Sequence, residues 1–133
     1  MDKVATVVEQ IVSRALEAVI VYESPDVIAF ADHDPINFGH ILICPIKPYE
    51  SFIDLPEPIH QEIQQVAKDL YTRLMNKFNP EGISFMQNNG ECNELDHYHL
   101  HIFPRFSHDE FGWTSQDLGQ QSIESLRQSL QGF

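Results

Sequence analysis

Residues 97–103 read His-Tyr-His-Leu-His-Ile-Phe, and this alternation constrains the fold more than any other stretch of the chain. Successive side chains of an extended strand point to opposite faces, so His97, His99 and His101 share one face while Tyr98, Leu100 and Ile102 share the other. The apolar row suits packing on helices. Three imidazoles are poor core material, because each ring nitrogen needs a partner or water. The pattern predicts a strand over residues 97–103, in a sheet covered by helix on one side and carrying a functional site on the other.

The rest of the chain supplies such a sheet. Val4, Val7, Val8, Ile11, Val12 and Ala15 recur at helical spacing and predict an amphipathic helix over about the first fifteen residues. Strands follow at residues 18–22, 27–31 and 39–45, separated by the turn signals Ser24-Pro25-Asp26 and Asp34-Pro35. Asp54-Leu55-Pro56-Glu57 has the form of a helix start, with Asp54 as the capping acid. Ile59, Ile63, Val66, Leu70 and Leu74 then mark one face of a long helix that stops at Asn79-Pro80-Glu81-Gly82. Residues 83–87 alternate as a strand up to the break at Asn88-Asn89-Gly90, and residues 122–130 form a closing helix. The expectation is one α+β domain over residues 1–133, with a mostly antiparallel sheet of about five strands, a long helix and terminal helices.

Twenty Asp and Glu against eight Lys and Arg give a net charge of −12. A chain that grips nucleic-acid phosphates draws on a basic face, so DNA and RNA are excluded as principal partners, while a small phosphorylated ligand needs only local donors. Cys44 and Cys92 have no metal-ligand spacing and fit a reducing compartment. No stretch approaches the ~18 apolar residues of a membrane span, and the first residues lack the charge pattern of a secretory leader. The expected location is the cytoplasm, with no membrane partner.

Two chemistries suit the histidine row. His97 and His99, two apart on a strand, could share a metal ion, although a flat strand sets the outer pair ~13 Å apart and makes three-way ligation awkward. The other is covalent and acid/base catalysis: a neutral imidazole attacks phosphorus near neutral pH while its neighbours orient it and move protons. Arg105 and the Asn88-Asn89-Gly90 turn add donors that could hold phosphate oxygens. His60 and His108 read as solvated, Trp113 as a core residue, and Cys44 as a small buried hydrophobe.

The residues 97–103 match the His-apolar-His-apolar-His-apolar-apolar signature of the histidine triad family of nucleotide hydrolases and transferases, which this chain resembles. A second block, from Val27 through Asp32, Pro35 and Gly39-His40 to Pro45, is similar to the family's upstream segment, and the resemblance spans about residues 16–106. It implies an α+β fold of that family, dimeric with the sheet continued across subunits. It also implies a nucleotide substrate cleaved at the α-phosphate, with His99 as the nucleophile that becomes a nucleotidyl-histidine. His97 and His101 match the supporting histidines, and His40 the upstream histidine of the same pocket. Asp32 matches a ribose-binding carboxylate, Phe30, His33 and Leu42 match base-pocket positions, and Asn88 matches a phosphate-contacting amide. Relatives carry a Gly-Gln segment before the triad, whereas here only Glu91-Cys92-Asn93-Glu94-Leu95-Asp96 intervenes. Asn93 is expected to replace the missing amide. No metal is expected in the covalent step, a divalent ion could accompany polyphosphate substrates, and paired cysteines for a structural zinc are missing. A nucleotide-binding module without turnover and a metal protein using His97 and His99 stand as the alternatives.

Overall fold

A computed structural model describes residues 4–133. Helix α1 (Val7–Val12) is followed by β1 (Ile20–Glu23), β2 (Val27–Ala31) and β3 (Ile41–Pro45). Then come the long α2 (Glu57–Phe78), β4 (Gly82–Gln87), β5 (Leu100–Arg105) and α3 (Ile123–Ser129). The strands form one antiparallel sheet in the order β1-β2-β3-β5-β4, so the strand that carries His101 lies inside the sheet and β4 forms an edge.

The first helix is shorter than the apolar spacing predicts, and residues 1–3 of that stretch lie outside the described residues. Thr6 caps it, accepting the Glu9 N–H while the Glu9 carboxylate accepts the Thr6 N–H. This reciprocal pair fixes the start beyond Val4, which is left exposed, and Arg14 at φ 68° ends the helix. Only Val8 and Ile11 are buried, against Ile28, Phe30, Leu42 and Cys44 on one face of the sheet.

Asp54 does not cap α2. Leu55 precedes a proline and is extended, which separates the 3-10 turn Phe52–Asp54 from the helix, and Asp54 instead bonds back to the Ser51 amide and hydroxyl. The apolar stripe then behaves as its spacing requires: Ile63, Val66, Leu70 and Leu74 are buried on the second face of the sheet with Val27, Ala29, Ile43, Tyr98, Leu100 and Ile102. Asn79 in the left-handed conformation terminates the helix, its N–H donating to the Met75 carbonyl.

Two expectations fail at the C-terminal end. Helix α3 forms where predicted, but Ile123, Leu126 and Leu130 are exposed and the helix buries none of its residues. Trp113 is 91% exposed rather than a core residue. Amphipathic spacing specifies a helix and a face. It does not specify what covers that face.

Candidate active site

The ladder of β5 begins at Leu100, so His97, Tyr98 and His99 lead into the strand rather than belonging to it. Their alternation still holds, because the Tyr98 N–H donates to the Tyr49 carbonyl and keeps this segment extended beside the chain leaving β3. Tyr98, Leu100 and Ile102 face α2. Register assembles the opposite face: Phe30 pairs with Leu42, Leu42 with His101, and His101 with Met86, one row across four strands. Phe30 and Leu42 are buried in that row under α1. Asn88 follows Gln87, the partner of Leu100, so the register carries it to the level of His99.

Backbone groups fix the proton positions on the histidines. The His97 ring is wholly buried, with Nε2 at 2.8 Å from the Pro45 carbonyl and Nδ1 at 2.8 Å from the Thr6 hydroxyl. A carbonyl only accepts, so Nε2 carries the proton and Nδ1 accepts from Thr6. His99 Nδ1 lies 2.9 Å from the His97 carbonyl, which puts its proton on Nδ1 and leaves Nε2 as a free lone pair. The Ile36 N–H donates to His40 Nδ1 at 3.0 Å, so His40 carries its proton on Nε2. That proton is donated to His101 Nδ1 at 2.9 Å, and neutral His101 therefore holds its own on Nε2. The His99 and His101 rings meet edge to face with centroids 4.8 Å apart. A ring with a free lone pair and a ring that offers an N–H are in contact.

The rings of His97, His40 and His101 are held neutral. Burial lowers His97 and His40, in the latter case against the pull of Asp32, and lowers His101 to about 4, with His99 and His40 adding to the effect. Since His101 titrates near 4 when folded and near 6.5 otherwise, the unfolded chain takes up its proton first as acid is added. The stability contributed by these buried rings is complete above pH 6.5 and lost as pH falls towards 4. The melting temperature should therefore drop steadily across that window in thermal denaturation at constant ionic strength. A flat profile there would contradict the buried neutral assignment.

The remaining residues divide. Asp32 Oδ2 is 3.6 Å from His40 Nε2, at the edge of the cluster, while Oδ1 accepts the Asp34 N–H. His33 sits exposed in the same turn. Asn93 does not offer its amide to a phosphate: it is buried, Nδ2 donates to the Glu50 carbonyl at 3.1 Å and lies 3.4 Å from the His97 carbonyl, and Oδ1 accepts the Leu95 N–H. The shortened loop needs that brace to turn. Arg105 is likewise consumed, donating to Asp109, Ser84 and the Phe111 carbonyl and stacking on the Phe111 ring. Sequence reasoning missed Thr6 and Ile36. The Thr6-x-x-Glu9 capping pattern was a readable signal for the first; the second acts through its backbone and leaves none.

A metal fits poorly. Ligating by His97 and His99 together is ruled out, since both His97 nitrogens are taken and buried. Asp32, His40 and His101 bring one ligand atom each within 4.8 Å of one another. Coordination through His40 Nε2, however, moves its proton to Nδ1, against the Ile36 N–H that donates there. The backbone opposes the ligating tautomer.

The triad histidines thus lie along one antiparallel sheet, with His40 bonded to His101 and the His99 ring packed edge to face on His101. The HIT domain model matches residues 13–108, and the chain belongs to the HIT family. An uncharacterized HIT-like protein of Methanocaldococcus jannaschii is 35% identical over 103 residues, 75% of this chain and 78% of that protein. The adenosine 5'-monophosphoramidase of Saccharomyces cerevisiae is 28% identical over 107 residues, 77% of this chain and 65% of the yeast protein. A crystal structure of a HIT family protein from Bacillus anthracis superposes with a TM-score of 0.78 at 28% identity, covering 92% of this chain and 90% of that one. Among the described residues no helix is long and apolar enough to cross a membrane.

Proposed function

We propose that this HIT protein is a nucleotide hydrolase or transferase that cleaves a phosphoramidate or phosphoanhydride bond at the α-phosphate of a purine nucleotide. The single observation that carries the reading is the locked proton arrangement: the His99 Nε2 lone pair beside the His101 Nε2–H. His99 Nε2 attacks the α-phosphorus and the leaving group departs, giving a nucleotidyl-histidine that water then cleaves. His101 Nε2–H hydrogen-bonds the phosphoryl or leaving-group oxygen or nitrogen as charge builds there. Asp32 is suited to the ribose hydroxyls, Phe30, Leu42 and His33 to the base, and Asn88 to phosphate.

The charges near the triad favour a leaving group that brings no further negative charge. Glu91, Glu94 and Asp96 occupy the loop before it, and Arg105 is held by Asp109. An amine leaving group fits this better than a polyphosphate, in line with the phosphoramidase activity for which the yeast relative is named. The expected result is faster AMP release from adenosine phosphoramidate than from diadenosine tetraphosphate, undiminished by EDTA. Loss of all release in EDTA would overturn the metal-independent mechanism. The withdrawal of Asn93 favours a second reading, a nucleotide-binding module without turnover, which predicts AMP affinity with no product from either compound.

The working form is a homodimer in which the sheet continues across subunits. What supports this is the edge position of β4, with Phe85 and Tyr71 exposed beside it. Sedimentation equilibrium at twice the chain mass supports the dimer, and a monomer at micromolar concentration refutes it. Two free cysteines suit a reducing compartment such as the cytoplasm.

A further inference from the structure

His99 owes its orientation to the carbonyl of His97, and His97 is in turn tied to the first helix of the chain. Its ring is strung between two elements, Nε2 to the Pro45 carbonyl at the end of β3 and Nδ1 to the Thr6 hydroxyl ahead of α1, each at 2.8 Å. Thr6 is 91 residues away in sequence. The geometry points to Thr6 as a positioning residue for His99: its hydroxyl anchors the His97 ring, and through it the His97 carbonyl that holds the proton on His99 Nδ1 and keeps Nε2 a lone pair.

The hydroxyl has the right polarity. The capping bond from the Glu9 N–H uses a lone pair of Oγ1, so its proton is free for His97 Nδ1, a nitrogen that only accepts because Nε2 is committed to Pro45. A β-branched side chain holds Oγ1 in few rotamers. The peptide itself is held through its N–H, which Tyr98 donates to the Tyr49 carbonyl at 2.6 Å, and more weakly by the Asn93 amide, 3.4 Å from the His97 carbonyl. Without the hydroxyl the ring hangs from Pro45 alone, and the orientation of the His97 carbonyl is left to the Tyr98–Tyr49 backbone bond.

This inference takes its kinetic readout from the histidine chemistry proposed above, so the test includes one readout independent of turnover. Thr6→Val keeps the volume and removes the hydroxyl, Thr6→Ser restores it, and Glu9→Ala breaks the other half of the capping box while leaving both hydrogen bonds of the His97 ring in place. In the full chain with adenosine phosphoramidate, Thr6→Val should lower kcat roughly tenfold to a hundredfold with little change in KM, as expected for a displaced catalytic group. Thr6→Ser should recover the loss, and Glu9→Ala should lower the melting temperature as Thr6→Val does while leaving kcat unchanged. Histidine ¹⁵N NMR should find His99 in the Nδ1–H form in the wild type and the other two variants, and a tautomer mixture in Thr6→Val. Thr6→Ala replaces Thr6→Val should the latter fail to fold. Wild-type kcat in the folded hydroxyl-free variant, an equal kcat loss in Glu9→Ala, or an unchanged His99 tautomer would each overturn the role of Thr6. A wild-type protein that turns over no nucleotide would defeat the proposed function instead, with the NMR comparison still deciding this one.

Discussion

Replacing His99 by alanine should abolish turnover, with kcat falling roughly 10⁴-fold or more, as when the nucleophile of a covalent mechanism is deleted. The reason lies in how few nitrogens at the site are available. His97 has none, since Thr6 and Pro45 occupy both and the ring is wholly buried. His40 spends Nδ1 on the Ile36 amide and Nε2 on His101. His101 presents a proton rather than a lone pair. Among these four histidines only His99 Nε2 keeps a lone pair for the proposed attack, so no neighbour should substitute for it. Nucleotide affinity should change little, because the groups proposed for base, ribose and phosphate are untouched. Titration of the His99→Ala protein with AMP by calorimetry, beside single-turnover assays, measures both halves of this prediction. Residual turnover within tenfold of wild type would move the chemistry to another group.

The largest loss of stability from a single small change is expected at Gly39. Its φ of +97° is a conformation that L side chains rarely adopt, and an added Cβ would lie 2.9 Å from the Phe78 ring, 3.1 Å from Pro104 and 3.2 Å from Leu74. Backbone strain and overpacking then act together, and Gly39→Ala should cost about 2–5 kcal/mol. That corresponds to a melting temperature lower by roughly 10 °C. The change also reaches the site, since His40 follows directly and its backbone carbonyl accepts the Asp32 N–H. Turnover of the variant, measured well below its melting point, should fall along with stability. A melting temperature within ~2 °C of wild type would mean that the α2–β5 packing yields more easily than these distances imply.

Period carried most of what the sequence made legible. The two-residue alternation assigned Tyr98, Leu100 and Ile102 to the helix-covered face correctly, although the ladder starts only at Leu100, because side-chain direction depends on extended backbone rather than on pairing. The stripe from Ile63 to Leu74 identified the buried face of α2 for the corresponding reason. Local chemistry misled where one residue had two uses. Asp54 has the composition of a cap but bonds back to Ser51, and Asn93 has the amide of a phosphate ligand but spends it on the loop. The motif positioned His99 and His101, yet not the protons that distinguish their roles. Those follow from the carbonyls of His97 and Pro45 and the amide of Ile36, groups every residue carries and no sequence pattern reveals. The exposed faces of α3 and Trp113 show the same limit from the other side.

The central claim is that His99 Nε2 becomes covalently bonded to phosphorus, and trapping the bond tests it most directly. The wild-type protein would be mixed with adenosine phosphoramidate, quenched within milliseconds at alkaline pH to preserve the acid-labile N–P bond, and examined by mass spectrometry. The account predicts an adenylyl group on the peptide containing His99, absent from the His99→Ala protein and lost on incubation as AMP appears. AMP formation with no adduct at any quench time, with oxygen from solvent water entering AMP by direct displacement and inversion at phosphorus, would contradict it.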